Sequence, residues 1–352
     1  MEISKTTISG NQTTTPSGHR LVKPPPSPLP LIFLSLPPPE DFMDTNIIIG
    51  KKVDIKKAFT SDSPPLDCLW EGGPKAGSVG SIVGIGAVGK STLMLQIAIA
   101  VASSCENRLA DILQIKITKP GKVLYLSAED DVDVITKRLE AIREFIEIKT
   151  HEAIIENLTI LSTVGYYFDL MSQDTINDTH IPYLIEKYKG ARLIIFDTIS
   201  RFHSKSENDN GHMAQLIVKL EHIAQHTGAA VLFLHHIGKT SAREARGDDQ
   251  HAPRGAGALT ENPRWGAFLQ KMTSAESQKW GGKTINDDET KPIGDARRGF
   301  YLRFGVPKHN YGPPQKDRWF VRQKGGILVP EELWPITTNN KEKKQGKIRN
   351  EG

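Results

Sequence analysis

The chain has 352 residues, 38% of them hydrophobic, with a formal charge of +4 and a pI near 8.8. That length and composition can bury a substantial core and suit one large α/β domain with tails. The only cysteines, Cys68 and Cys105, exclude a disulfide framework or a four-cysteine zinc site within one chain, which fits a reducing, cytoplasmic location.

Residues 1–42 are rich in Ser, Thr and Pro, show neither hydrophobic period, and are expected to be disordered, with polyproline character near Pro24–Pro39. The apolar run Leu29–Leu36 is short, carries Pro30 and ends in Pro37-Pro38-Pro39, which argues against a secretory signal. No stretch approaches the roughly twenty apolar residues of a membrane helix, so no membrane partner is expected. Met43 is a candidate native start. Residues 43–75 read as a linker in which Lys51–Thr60 forms a short basic helix or spacer able to contact a neighbouring subunit.

From Ala76 to about residue 330 apolar runs alternate with helical stretches, the pattern of a mostly parallel sheet with helices on both faces. Strands are predicted over 79–85, 122–127, 158–163, 192–197 and 229–235, and helices over 90–103, 131–148, 178–189 and 211–227. The later runs 265–272, 300–306 and 319–329 read as C-terminal antiparallel strands, the last a hairpin around Gly325-Gly326. Residues 331–352 form a basic tail.

The strongest chemical signal is Gly84-Ile85-Gly86-Ala87-Val88-Gly89-Lys90-Ser91-Thr92, which fills every fixed position of G-x-x-x-x-G-K-[ST] between a predicted strand and helix. Gly84, Gly86, Ala87, Val88, Gly89, Lys90, Ser91 and Thr92 therefore form the expected phosphate cradle for ATP. Lys90 reaches the outer phosphates, and Ser91 places its hydroxyl on the bridging Mg2+. The apolar strand ending in Asp197 supplies the second expected magnesium contact. Glu129, at the end of KVLYLSAEDD, is the candidate general base that orients the attacking water, while Asp130 and Asp131 favour the following helix. His236 ends another strand of the same sheet and is a candidate sensor of the γ-phosphate; a structural hydrogen bond is the competing reading for either histidine of the pair.

Together GIGAVGKST, LYLSAEDD, LIIFDTISRFH, VLFLHHIGK, RGAGALTENPRW and FGVPKHNYGPP resemble the plasmid-encoded RepA replicative helicases of the IncQ type, from about Val53 to Leu328 and in the same order. The resemblance implies a RecA-like P-loop NTPase core, a homo-oligomeric ring of six subunits, and ATP-driven unwinding of forked duplex DNA by movement on single-stranded DNA. A replication initiator or primase is a further partner that such a role admits. It also implies that Arg264 reaches the neighbouring subunit's nucleotide, with Arg254 a second and Lys308 a third contender. The stretch after His236 falls where RecA-like motors present a DNA-contacting loop, making Lys239, Arg243 and Arg246 candidates for gripping phosphates. The Pro-rich beginning, the basic end and the stretch KTINDDETKPIGDAR depart from the family pattern. Two other readings stay open: a RecA-like ATPase that does not unwind DNA, such as a recombination mediator or a clock-type regulator, and a nucleotide-dependent adaptor.

Overall fold

The computed structural model describes residues 50, 52–103, 113, 115–172, 180–237, 257–283 and 291–336. The chain divides into two units at Pro64 and Pro65. In the first, α1 (Ile55–Thr60) begins at Asp54, whose carboxylate accepts the Lys57 N–H at 2.9 Å.

In the second unit the apolar runs become strands β1 (Val79–Gly84), β2 (Val123–Ser127), β3 (Leu158–Ser162), β4 (Leu193–Asp197) and β5 (Ala230–His236). β1, β2 and β4 are buried at every position, as parallel strands covered on both faces require, whereas the edge strand β3 is only partly buried. After β5 come β6 (Trp265–Lys271), β7 (Trp280–Gly282), β8 (Tyr301–His309), β9 (Arg318–Arg322), β10 (Leu328–Glu331) and β11 (Leu333–Pro335). Nine strands form one sheet in the order β10-β9-β8-β6-β1-β5-β4-β2-β3, parallel from β6 to β3 and antiparallel from β6 to β10. β7 and β11 form a separate antiparallel pair.

The period-2 alternation of each strand sorts its side chains between two cores. On one face Tyr125, Leu193, Ile195, Leu232 and Leu234 pack with α2 (Lys90–Ala102). On the other, Leu124, Leu126, Ile194, Phe196, Val231 and Phe233 meet the long helix Asn210–Thr227. Continuing the alternation to the strand ends places Asp197 and His236 on the α2 face and His235 on the opposite one.

Four differences from the sequence expectation have physical causes. The helix predicted over 131–148 is α3 (Val132–Arg143) and stops early: Phe145 and Ile146 donate to the carbonyls of Ile142 and Arg143, a tighter turn that packs both side chains on the core. A short helix, α4 (His151–Asn157), then leads into β3. β8 runs three residues beyond its predicted end through Pro307. That proline lies where the β6–β8 register shifts between Gly266 and Phe268, at an irregularity that tolerates the missing N–H. Finally, Leu69 and Trp70, placed in the 43–75 linker by the sequence, are buried, and Trp70 meets Trp265 edge-on at 6.0 Å. Residues 1–42, the 238–253 stretch and the basic tail beyond residue 336 lie outside the described residues.

Candidate functional site

β1 leaves the sheet at Gly84 and α2 starts at Lys90, so the glycine-rich turn opens at the carboxyl edge of the parallel strands. Its shape needs glycine at two points. Gly89 sits at φ 107°, a conformation that costs an L-residue about 1 kcal/mol or more. A Cβ on Gly84 would stand 2.5 Å from the Leu269 carbonyl oxygen. No side chain caps α2 at Gly89, so its first-turn N–H groups and positive dipole end face the turn, the arrangement that binds phosphate.

The Lys90 ammonium lies in this curl, donating to the carbonyls of Gly84 at 2.9 Å and Ile85 at 3.1 Å and to His236 Nδ1 at 3.0 Å. An ammonium can only donate, so His236 accepts at Nδ1 and carries its proton on Nε2, which faces Glu129 Oε1 at 3.4 Å. Burial pulls the Lys90 pKa down to about 8, outweighing the opposing pull of Asp197 and Glu129.

Asp197, only 2% exposed, accepts the Tyr125 hydroxyl at 2.5 Å on Oδ2. Its Oδ1 is buried with no hydrogen-bond partner. Burial raises the Asp197 pKa, and the Tyr125 and Ser91 hydroxyls work against that rise. An orphaned carboxylate oxygen beside a serine hydroxyl is a hard oxygen donor pair of the kind Mg2+ takes alongside phosphates and water, so these residues fit that ion. Among the described residues no group of three or more His, Cys, Asp or Glu side chains forms a metal cage.

Glu129 follows β2 on a stretch pinned from both sides. Ser127 and Ser162 donate to the Asp130 carbonyl at 3.2 and 3.0 Å, and Arg138 grips the Asp130 carboxylate at 2.5 and 3.0 Å. Asp131 caps α3 through the Val134 N–H at 2.9 Å. Thr198, itself 3.0 Å from the Ser200 hydroxyl, donates to Glu129 Oε1 at 3.1 Å. Lys90, Glu129, Asp197 and His236 thus meet from four contiguous strands, β1, β5, β4 and β2, although up to 146 residues separate them in sequence. His235 turns away to the other face, buried near Glu207 and His203.

Two of the other sequence candidates, Arg264 and Lys308, stand apart from this cluster. Arg264 is exposed at the start of β6, its N–H donating to the Val79 carbonyl at 3.1 Å, which is the far end of β1 from the glycine turn. Six residues of strand put it some 15–20 Å from its own cradle. Lys308 is close to Arg264: its ammonium donates to the Glu261 carbonyl, and burial and the Arg264 charge hold its pKa down. Lys239, Arg243, Arg246 and Arg254 lie outside the described residues.

Three participants escaped sequence reading. Tyr125 is the one aromatic side chain of its strand, and a buried Tyr hydroxyl seeks a partner, so it carried a signal. Thr198 adjoins Asp197 and carried a weaker one. Arg322, on β9, donates through Nη2 to the Val88 carbonyl at 2.6 Å and carried none.

Residues 50–242, more than half of the chain, match the family described as the AAA domain. The DNA repair protein RAD57 of Saccharomyces cerevisiae is 26% identical over 198 residues, covering 52% of this chain and 39% of RAD57, so the match spans about two fifths of that relative. Among solved structures, a RadB recombinase aligns at 14% identity and a TM-score of 0.42 over 72% of this chain and 91% of its own. A KaiC-like protein from Pyrococcus horikoshii OT3 aligns at 12% and 0.45 over 76% and 99%. With its glycine turn, strand-end carboxylates and mostly parallel α/β sheet, the chain belongs to the AAA domain family.

Proposed function

We propose that this protein is a Mg2+-dependent RecA-like ATPase that works on DNA as a recombination-mediator type of assembly. The observation that carries the reading is the meeting of Lys90, Glu129, Asp197 and His236 at one strand edge beside the glycine turn. A pure nucleotide switch has no need of a carboxylate held opposite the loop, and this favours hydrolysis over the adaptor reading. The likeness to a DNA repair protein supports DNA as the partner.

In this reading the loop N–H groups and Lys90 bind the phosphates. Ser91 and Asp197 would hold Mg2+, which would supply charge neutralisation for the phosphates. Glu129, oriented by Thr198, positions water and takes its proton, and the His236 imidazole between Lys90 and Glu129 reports which phosphate occupies the loop. Arg264, with Lys308 beside it, sits at the sheet end remote from its own cradle, where a guanidinium is placed to act on an adjoining protomer. Arg254, Lys239, Arg243 and Arg246 remain candidates for trans-acting and DNA contacts.

The ordered motif set running to FGVPKHNYGPP favours a second reading, a hexameric helicase serving plasmid replication. A forked-duplex strand-separation assay, run beside an ATPase assay with and without single-stranded DNA, separates the two. DNA-stimulated hydrolysis that leaves the fork paired supports the mediator reading, ATP-dependent separation replaces it with the helicase, and absence of any hydrolysis overturns both. Mixing Arg264→Ala with Glu129→Gln protein tests the shared site: activity returns in co-assembled mixtures if Arg264 acts in trans.

A further inference from the structure

The loop between β9 and β10 comes from the antiparallel end of the sheet, yet it lies against the glycine turn. Gln96 of α2 holds it there with two hydrogen bonds, donating to the Leu328 carbonyl at 2.9 Å and accepting the Leu328 N–H at 3.0 Å, all groups buried. At its tip, a Cβ on Gly325 would fall 2.7 Å from Ala141 Cβ of α3, and one on Gly326 would reach Thr92 Oγ1 of α2 at 4.0 Å. One hairpin therefore touches both the helix that follows the phosphate loop and the helix that follows Glu129.

From this hairpin Arg322 donates to the Val88 carbonyl at 2.6 Å, and its Nη2 lies 3.1 Å from where a Gly89 Cβ would be. Val88 C=O and Gly89 N–H belong to one planar trans peptide and point in opposite directions. Whatever anchors that carbonyl on the protein side thereby aims the Gly89 N–H into the cradle. The bond is charge-assisted, which makes it a stiffer anchor than a neutral donor.

We propose that Arg322 is a positioning residue for the phosphate loop, acting within its own protomer: it fixes the Val88–Gly89 peptide so that the loop N–H groups face the phosphates. The β9–β10 hairpin, clasped by Gln96, carries it and keeps α2 and α3 in register. This rests on the reading of the glycine turn as a nucleotide site.

The test measures the affinity of a fluorescent ADP analogue and of inorganic tripolyphosphate, the latter by competition, for wild type, Lys90→Ala, Arg322→Ala and Arg322→Lys. Arg322→Ala should weaken both probes by about tenfold, the loss of one charge-assisted bond, because a mis-set loop affects phosphates whether or not a nucleoside follows. Arg322→Lys, which keeps a cation, should recover part of it. Arg322→Met, which retains the aliphatic stem, substitutes if the alanine variant does not fold. Unchanged affinity for both probes overturns the proposal, and so does a loss confined to the ADP analogue, which would mean that the guanidinium reads the nucleoside instead. Wild type that binds neither probe refutes the nucleotide site itself. Wild type that binds, Lys90→Ala that does not and Arg322→Ala that binds normally refute this inference alone.

Discussion

The parallel and antiparallel halves of the one sheet serve the site in different ways. In the parallel half every strand runs the same way, so residues that end β1, β2, β4 and β5 arrive at one edge, and alternation alone selects which terminal side chains turn toward α2. In the antiparallel half successive strand ends fall on opposite edges, and a side chain reaches the turn only from the flank, as Arg322 does through a hairpin held by Gln96. Chemistry is thus placed by strand direction in one half and by long-range packing in the other.

Glu129→Gln should lower ATP turnover by about 10²–10⁴-fold while nucleotide affinity is retained, read from steady-state hydrolysis beside direct binding. If affinity falls with turnover, Glu129 belongs to the cradle and the division of labour in the parallel half is wrong. Gln96→Ala probes the other half: it leaves the Leu328 N–H and carbonyl buried and unpaired, at about 1–3 kcal/mol for each group, measurable by denaturant unfolding. It should also loosen the hold on Arg322 and weaken nucleotide binding, whereas a loss of stability with unchanged binding would show the hairpin to be a mere lid on the core.

Tyr125→Phe sharpens the picture within the parallel half. Removing the 2.5 Å bond takes away the largest influence that offsets burial of Asp197, so the carboxyl protonates more readily. The acid limb of the pH–rate profile should therefore move to higher pH, with more Mg2+ needed for half-maximal rate. The smallest expected effect is on the alkaline side. Free Lys90 loses its proton as pH rises through about 8, and phosphates bind the charged form. Affinity should fall above that pH by up to about tenfold per unit, and binding at pH 8 should take up protons, seen as buffer-dependent heats.

The parallel half could be read from the sequence because its signals are local: a glycine pattern between a strand and a helix, and apolar runs ending in carboxylates. Where local pattern met competing burial the reading slipped, as at Phe145 and Ile146, whose packing ends α3 before its apolar period does. Arg322 and Gln96 had no local mark. An arginine on a half-buried strand and a glutamine in a helix are ordinary residues until the fold brings Val88 and Leu328 to them.

By itself the sequence determined the α/β class with its mostly parallel sheet, the strand-turn-helix around the glycine run, and that Glu129, Asp197 and His236 stand at or just beyond strand ends, because backbone geometry and period-2 burial act over a few residues. Only the tertiary structure decided that Tyr125 serves Asp197, that Thr198 steadies Glu129, that Arg264 stands at the opposite sheet end, and that a C-terminal hairpin anchors the loop. Those are contacts between segments up to 234 residues apart. They depend on which strands become neighbours and in what register, which the packing of the whole sheet settles.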